Sequence, residues 1–310
     1  MKFTWVNTTD ESISTKRFLN QQGISHRMYA ELKGISGAIL VNGKQRAEVP
    51  ANAKVQVNFP AETGGDPEVT VDTTPIQVIL ENYNWLVVNK AAGVSSVPGP
   101  SDRQTTLVNK IKGHWQKACS QDLVPHIITR LDRDTSGGAV LVAHNRLANS
   151  LANQLQENHQ IQKQYLAVVS GTGLSDHEVI DLPLAKSPTG YDQLVTSDGK
   201  KAVTEYWKLA EFNGNTVLKV QLHTGRTHQI RAHFRHLGHP LIGDELYHGP
   251  LDQGLTRQAL HALALQFMDP FTNQIQKITA DLPADLTNYF EHNHLSVSDL
   301  VIRFIDSQEE

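Results

Sequence analysis

Residues 128–145 read ITRLDRDTSGGAVLVAHN, and the order of their chemistry decides the fold. Arg130, Asp132, Arg133 and Asp134 crowd into a polar loop that closes with Thr135, Ser136, Gly137 and Gly138. The apolar run Ala139–Ala143 follows at once and reads as a strand. No GxGxxG follows a strand and no Walker sequence appears anywhere, so no nucleotide cofactor is proposed. Glycines beside a charged cluster let a substrate backbone come close. Asp132 has arginines on both sides in sequence, and an aspartate held beside an arginine stays ionised and nucleophilic. A structural Asp–Arg bridge at a strand start fits the same residues. Asp134 reads as a turn or capping residue.

Outward from this loop the pattern is mixed. PIQVIL and WLVVNK read as paired strands, TTLVNKI opens a helix capped near Thr105, and residues 145–158 form a helix. QYLAVVSG, KAVTEYWKLA and TVLKVQL read as strands and HQIRAHFRHLG as a helix, while periodicity leaves ALHALALQFMDP open between strand and short helix. This is not a regular βαβ series, so a doubly wound parallel sheet is disfavoured. Toward the N-terminus, residues 14–33 read as helical around Phe18, Leu19, Ile24, Met28 and Leu32, with a turn at which Ser25 could cap a second helix. AILVNGK ends in the hairpin signal Asn42-Gly43, and KVQVNF alternates as a strand. The expected organisation is a small α+β module over 1–62, a linker over 63–74, a main domain over 75–290 and an acidic tail over 291–310.

Two further clusters could carry chemistry. His223, Gly225, Arg226, Thr227, His228, Gln229, Arg231, His233, His236 and His239 lie close together. If 227–237 is helical, Arg231 shares a face with Thr227 and points into a cleft. A catalytic metal on His233, His236, His239 and Asp244 is a rival reading, weakened by Gly238 and Pro240 and by the lack of an HExxH. Lys163 and Tyr165 open a strand, where Tyr165 fits either a base-stacking role or a core position.

The formal net charge of −4 argues mildly against nucleic acid, but its distribution matters more. Residues 281–310 carry seven acids against Arg303 alone, and residues 219–243 hold Lys219, Arg226, Arg231 and Arg235 with five histidines and no acid. A locally positive groove is compatible with that total. Cys119 is the single cysteine, so no intrachain disulfide or thiolate-rich zinc site can form. No signal-like run opens the chain and no apolar stretch approaches a membrane span, so a cytoplasmic protein is expected.

At these residues the chain resembles the RluA-type pseudouridine synthases. The family pattern HRLDxxTSG is similar to TRLDRDTSG at 129–137, with Thr129 in place of histidine. K-x-Y matches Lys163-Gln164-Tyr165, and GRTHQIRxHxxxxGHPIxGDxxY matches Gly225 through Tyr247 almost throughout. NKPxG corresponds to the end of Val87–Gly93, with Ala91 in place of proline. The resemblance implies an α+β fold: a mixed, mainly antiparallel sheet with flanking helices and a central cleft, preceded by a module resembling a small ribosomal-protein-type RNA-binding domain. It implies RNA pseudouridine synthesis on structured ribosomal or transfer RNA by a monomer, with no cofactor and no metal. Asp132 takes the catalytic aspartate position, Tyr165 the tyrosine packed on the target base, and Arg231 the aspartate's basic partner. Arg130 takes the arginine that fills the space of the flipped base, and Arg133, Lys163, Arg226 and His228 are expected to bind substrate. A catalytically silent RNA-binding protein, a metal-dependent hydrolase and a siteless α+β scaffold are the alternatives.

Overall fold

The computed structural model describes residues 1–100, 102–188 and 190–307. Its first element, β1 (Lys2–Val6), lies in a start that the sequence pattern left unassigned. β2 (Ile13–Ser14), α1 (Thr15–Gln21), α2 (His26–Lys33), β3 (Ile39–Val41), β4 (Glu48–Val49) and β5 (Lys54–Asn58) follow. Ser25 starts the second helix as expected and Ser14 starts the first, their side chains accepting from the backbone N–H of Met28 and Arg17. The strands form a sheet in the order β1-β5-β3, and its apolar face closes over Phe18, Leu19, Ile24, Met28 and Leu32.

The main domain runs β6 (Gln77–Glu81), β7 (Trp85–Lys90), α3 (Leu107–Lys117), β8 (His126–Ile127), β9 (Ser136–Ala143), α4 (Arg146–Glu157) and β10 (Ile161–Ser170). It continues through β11 (His177–Asp181), β12 (Leu184–Lys186), β13 (Gln193–Val195), β14 (Val203–Phe212), β15 (Asn215–Leu222) and α5 (Gln229–His236). β16 (Leu260–Asp269), β17 (Gln274–Thr279), α6 (Ala284–His292) and α7 (Val297–Asp306) complete it. Eight strands make the path β11-β14-β15-β10-β16-β9-β7-β6, with β17 added to β16 and β8 to β9. Every pairing in this sheet is antiparallel except β9 with β16, so the sheet is mixed and mainly antiparallel. The ambiguous run ALHALALQFMDP is therefore a central strand.

All eight residues of β9 are buried. Its parallel contact with β16 needs glycine: at Gly137 (φ +122°) a Cβ would lie 2.3 Å from the Ala262 carbonyl oxygen. Alternation along β10 sorts side chains to two faces. Tyr165, Ala167 and Val169 join a core with Leu131, Ile230 and Phe234, whereas Leu166 and Val168 join one with Tyr289, Phe290 and Phe304. The helix expected to be capped near Thr105 has its N-cap at Thr106, which forms a capping box with Asn109, while the Thr105 hydroxyl donates to Asp102.

Three expectations are corrected. Within the acidic tail expected over 291–310, α7 is a packed helix that buries Leu300 and Phe304 against the sheet, and Arg303 donates to Leu209 O at 2.9 Å. Lys219 does not face a basic groove. It is buried on the α7 side, donates to Phe304 O at 2.8 Å, and sits 5.4 and 5.1 Å from the Trp207 and Phe304 rings. The 63–74 segment is no loose linker, because residues 69–73 strap along α3: Lys110 pairs with Asp72 at 2.8 Å, and Asn109 donates to Thr70 O at 2.9 Å. Gly113 permits this approach, since a Cβ there would lie 2.0 Å from Asp72 O. The N-terminal module also shares its core with Leu147 of α4, and Ser150 Oγ donates to Gly23 O at 2.9 Å.

Candidate active site

All eight residues singled out from sequence converge on one cleft. A cavity of about 370 Å³ is lined by Arg130, Asp132, Arg133, Lys163, Tyr165, Arg226, His228 and Arg231. The 129–135 loop, the start of β10 and the start of α5 supply them. Its volume falls in the range of small-ligand sites.

The loop is fixed before it reaches Asp132. Ser96 Oγ donates to Leu131 O at 2.7 Å and accepts from Leu131 N at 3.1 Å. Thr129 is buried; its hydroxyl donates to Ala139 O and accepts from Leu141 N at 2.8 Å. Threonine at this position therefore staples the loop to β9. Beyond Asp132, Lys90 Nζ donates to Arg133 O at 2.9 Å, Ala91 O at 2.9 Å and Val94 O at 2.8 Å. Burial pulls Lys90 down to about 7 while the charges of Asp134 and Asp132 resist. Three carbonyl acceptors each require an N–H, which only the ammonium supplies in full.

Asp132 keeps 28% of its side chain exposed, and its Oδ2 lies 3.4 Å from Arg231 Nη1. Arg231 is held from the other side. Its Nε and Nη2 donate to the two carboxylate oxygens of Asp244 at 2.7 Å each, and the Asp244 side chain is 1% exposed. This bidentate fork aims the remaining guanidinium nitrogen at Asp132. Burial alone would lower Arg231, but the hydrogen bonds and charge of Asp244 outweigh it and hold the group up. The guanidinium also lies 4.9 Å from the centre of the Tyr247 ring.

His228 precedes α5 in the left-handed region (φ 52°), and its Nε2 lies 4.0 Å from Asp132 Oδ2. Its Nδ1 lies 3.2 Å from the Tyr247 hydroxyl, which accepts from Gln193 N at 2.7 Å. The phenol proton is thus free for Nδ1, leaving the ring hydrogen on Nε2, toward Asp132. Burial keeps this imidazole neutral by lowering its pKa. Tyr165 is buried, and burial together with the nearby Asp132 charge pushes its phenol up, so it stays protonated. Burial also lowers the pKa of Lys163, whose ammonium stands near Gly225. Arg130 and Arg133 are exposed, Arg133 Nε donating to Gly93 O at 3.2 Å, and Arg226 Nε donates to Lys201 O at 2.9 Å.

The sequence reading missed Asp244 as the anchor of Arg231, and with it Tyr247, Ser96 and Lys90. Asp244 and Tyr247 were visible inside GDxxY, but nothing local says which side chain they meet. The histidine cluster belongs to structure. His233 is buried between Thr204 Oγ1 and Leu182 O, each at 2.9 Å, and His239 Nδ1 meets Ser170 O at 2.8 Å. With Asp244 spent on Arg231, the metal-dependent hydrolase loses its ligands. Among the described residues no group of three or more His, Cys, Asp or Glu is arranged to hold a metal ion.

The uncharacterized RNA pseudouridine synthase YjbO of Bacillus subtilis (strain 168) is 35% identical over 287 residues, covering 91% of this chain and 100% of its own. The chain belongs to the RNA pseudouridine synthase family. The RNA pseudouridylate synthase family profile matches residues 84–236, which include the Asp132 loop, Tyr165 and Arg231. Ribosomal large subunit pseudouridine synthase D of Xylella fastidiosa (strain Temecula1 / ATCC 700964) is 35% identical over 238 residues, 71% of each chain. Among solved structures, human RNA pseudouridylate synthase domain containing 4 shares the fold, with a TM-score of 0.60 at 18% identity over 71% of this chain and 94% of its own. No helix among the described residues is long and apolar enough to cross a membrane.

Proposed function

We propose that this pseudouridine synthase is of the RluA type and converts specific uridines to pseudouridine in structured ribosomal or transfer RNA, with Asp132 as the reacting carboxylate. The observation that carries the reading is a half-open aspartate whose guanidinium partner is itself locked by a buried second carboxylate. Such preorganised charge costs no rearrangement when the reaction begins.

The target nucleotide leaves its stack, since the glycosidic bond is shielded inside a helix. Arg130, exposed at the mouth, fills the vacated space, and Tyr165 packs against the everted base. Asp132 engages the sugar, either by attack at the anomeric carbon or by assisting a glycal-like intermediate. The bond from that carbon to N1 of uracil breaks, the base rotates, and a bond to C5 forms; C5 loses a proton and N1 gains one. Arg231 holds Asp132 aligned throughout. Arg133, Lys163, Arg226 and His228 contact the substrate around it, and the module over 1–62 adds an RNA-binding face.

Site-resolved pseudouridine mapping in cells with and without the gene identifies the target. An unmodified transcript carrying that uridine is then converted by the wild type, whereas Asp132→Asn binds it and leaves it unchanged, a loss of about 10³-fold or more for a reacting group. Turnover by Asp132→Asn would remove the carboxylate from its role.

A further inference from the structure

Arg257 lies outside every motif read from the sequence, yet it spends its whole guanidinium on two distant parts of the chain. Nε and Nη2 pair with the Asp285 carboxylate in the first turn of α6 at 2.7 and 3.0 Å. On the other side, Nη1 donates to Asp134 O at 3.2 Å and Nη2 to Ser136 Oγ at 3.3 Å. Nη1 also reaches Gln258 O at 3.2 Å and Leu260 O at 3.4 Å, and only 9% of the side chain is exposed. Ser136 Oγ, accepting from Arg257, has its own hydrogen left for His261 Nδ1 at 2.9 Å. The neighbouring Gln258 donates to Thr135 Oγ1 at 3.3 Å. Residues 257 and 258 together therefore hold 134, 135 and 136, the three positions that follow the cluster around Asp132.

Lys90 approaches from the end of β7 and holds the carbonyl of Arg133. Two buried cations, from opposite ends of the domain sequence, thus grip consecutive carbonyls just downstream of the carboxylate. Upstream, Ser96 grips Leu131. A backbone fixed on both sides leaves Asp132 little freedom except its own side-chain rotation.

We propose that Arg257 is a positioning residue for Asp132: it ties the loop that bears the carboxylate to the start of α6, so that the C-terminal helices and the reacting group move as one unit. The inference rests on the reading of Asp132 given above. Arg257 touches no reacting atom and acts only by keeping Asp132 where it can meet the sugar. A displacement of about 1 Å at a reacting group can cost about 10²-fold in rate.

The test uses the full chain, the mapped transcript, and three variants: Arg257→Met, Arg257→Lys and Asp285→Asn. Single-turnover conversion and transcript affinity are measured separately, with thermal unfolding as the control for folding. Arg257→Met is expected to bind the transcript as tightly as the wild type and convert it about 10²-fold more slowly. Arg257→Lys recovers part of that loss, and Asp285→Asn, whose carboxylate is 45% exposed and safer for folding, loses less than Arg257→Met. Wild-type conversion by folded Arg257→Met overturns the proposal, and so does a rate loss matched by weakened transcript binding. Should Arg257→Met fail to fold, full-speed Asp285→Asn overturns it equally. An inert wild type would instead remove the Asp132 reading, and this inference with it.

Discussion

The mouth and the floor of the cleft present the same guanidinium with two different aspartates. At the floor, Asp244 is 1% exposed and takes two bonds of 2.7 Å from Arg231. At the mouth, Asp132 is 28% exposed and receives one contact of 3.4 Å. The floor uses the ion pair to build and the mouth leaves it unfinished. In the role proposed for Asp132, the carboxylate needs a partner that steadies its charge without occupying the lone pair that must reach substrate, and a weaker, longer contact meets that need. A buried pair with full hydrogen bonding is costly to break, whereas a half-solvated one is cheap.

The sharpest way to break this comparison is to neutralise each aspartate in turn. Asp244→Asn leaves Arg231 buried against an amide and is expected to destabilise the fold by about 3–5 kcal/mol, read from urea denaturation. It also releases the nitrogen aimed at Asp132, so conversion falls along with stability. Asp132→Asn, which weakens only the single 3.4 Å contact of a carboxylate 28% exposed, should cost about 1 kcal/mol or less in unfolding free energy. If Asp132→Asn is the more destabilising of the two, floor and mouth have been assigned the wrong way round.

Acid separates the two regions more gently. His261, packed under the loop and bonded to Ser136, is neutral because burial lowers its pKa from the usual 6.5 to about 4. As pH falls through 6.5 the unfolded chain takes up a proton there and the folded one does not until about pH 4. Its contribution to stability is therefore complete above 6.5 and is lost on the way down to 4, by about 3 kcal/mol across the window. Burial lowers His144, His228 and His233 in the same direction, so they add to the slope. Urea midpoints at pH 7.5 and pH 5 measure it, and His261→Gln should flatten the acid decline by the His261 share. An unchanged slope in that variant would mean that the imidazole is not held neutral.

The mouth was far more legible in sequence than the floor, for a physical reason. Asp132 and Arg231 stand in short segments where charged residues crowd beside glycines, whereas Tyr165 and Lys163 drew their expected roles from the family resemblance. The apolar run Ala139–Ala143, the cap at Ser25 and the helix near 145–158 were readable for the same local reason. What holds these residues in place is long-range. The contacts of Ser96 with Leu131 and of Arg257 with Asp134 join positions far apart in the chain, and no window of sequence contains both ends. Net charge misled in the other direction. Lys219 counted as groove charge but is buried under α7, and the acids of 291–307 decorate a helix that the core needs. Lys2–Val6 escaped notice because it pairs with Lys54–Asn58, at the opposite end of the module.

Tyr247 sits between the two regions, and removing one atom from it gives the smallest effect. Its hydroxyl accepts from Gln193 N at 2.7 Å and reaches His228 Nδ1 at 3.2 Å, while its ring stays 4.9 Å from the Arg231 guanidinium. Tyr247→Phe keeps the ring over the floor and cuts only the hydrogen-bonded link to the mouth. The cost should be about 1 kcal/mol in urea denaturation, one hydrogen bond's share. Conversion should slow by only a few-fold, because His228 loses its fixed tautomer while Asp132 and Arg231 keep theirs. A loss as large as that of Asp132→Asn would mean that His228, not Arg231, is the partner on which the mouth depends, since the phenyl ring leaves the guanidinium contact intact.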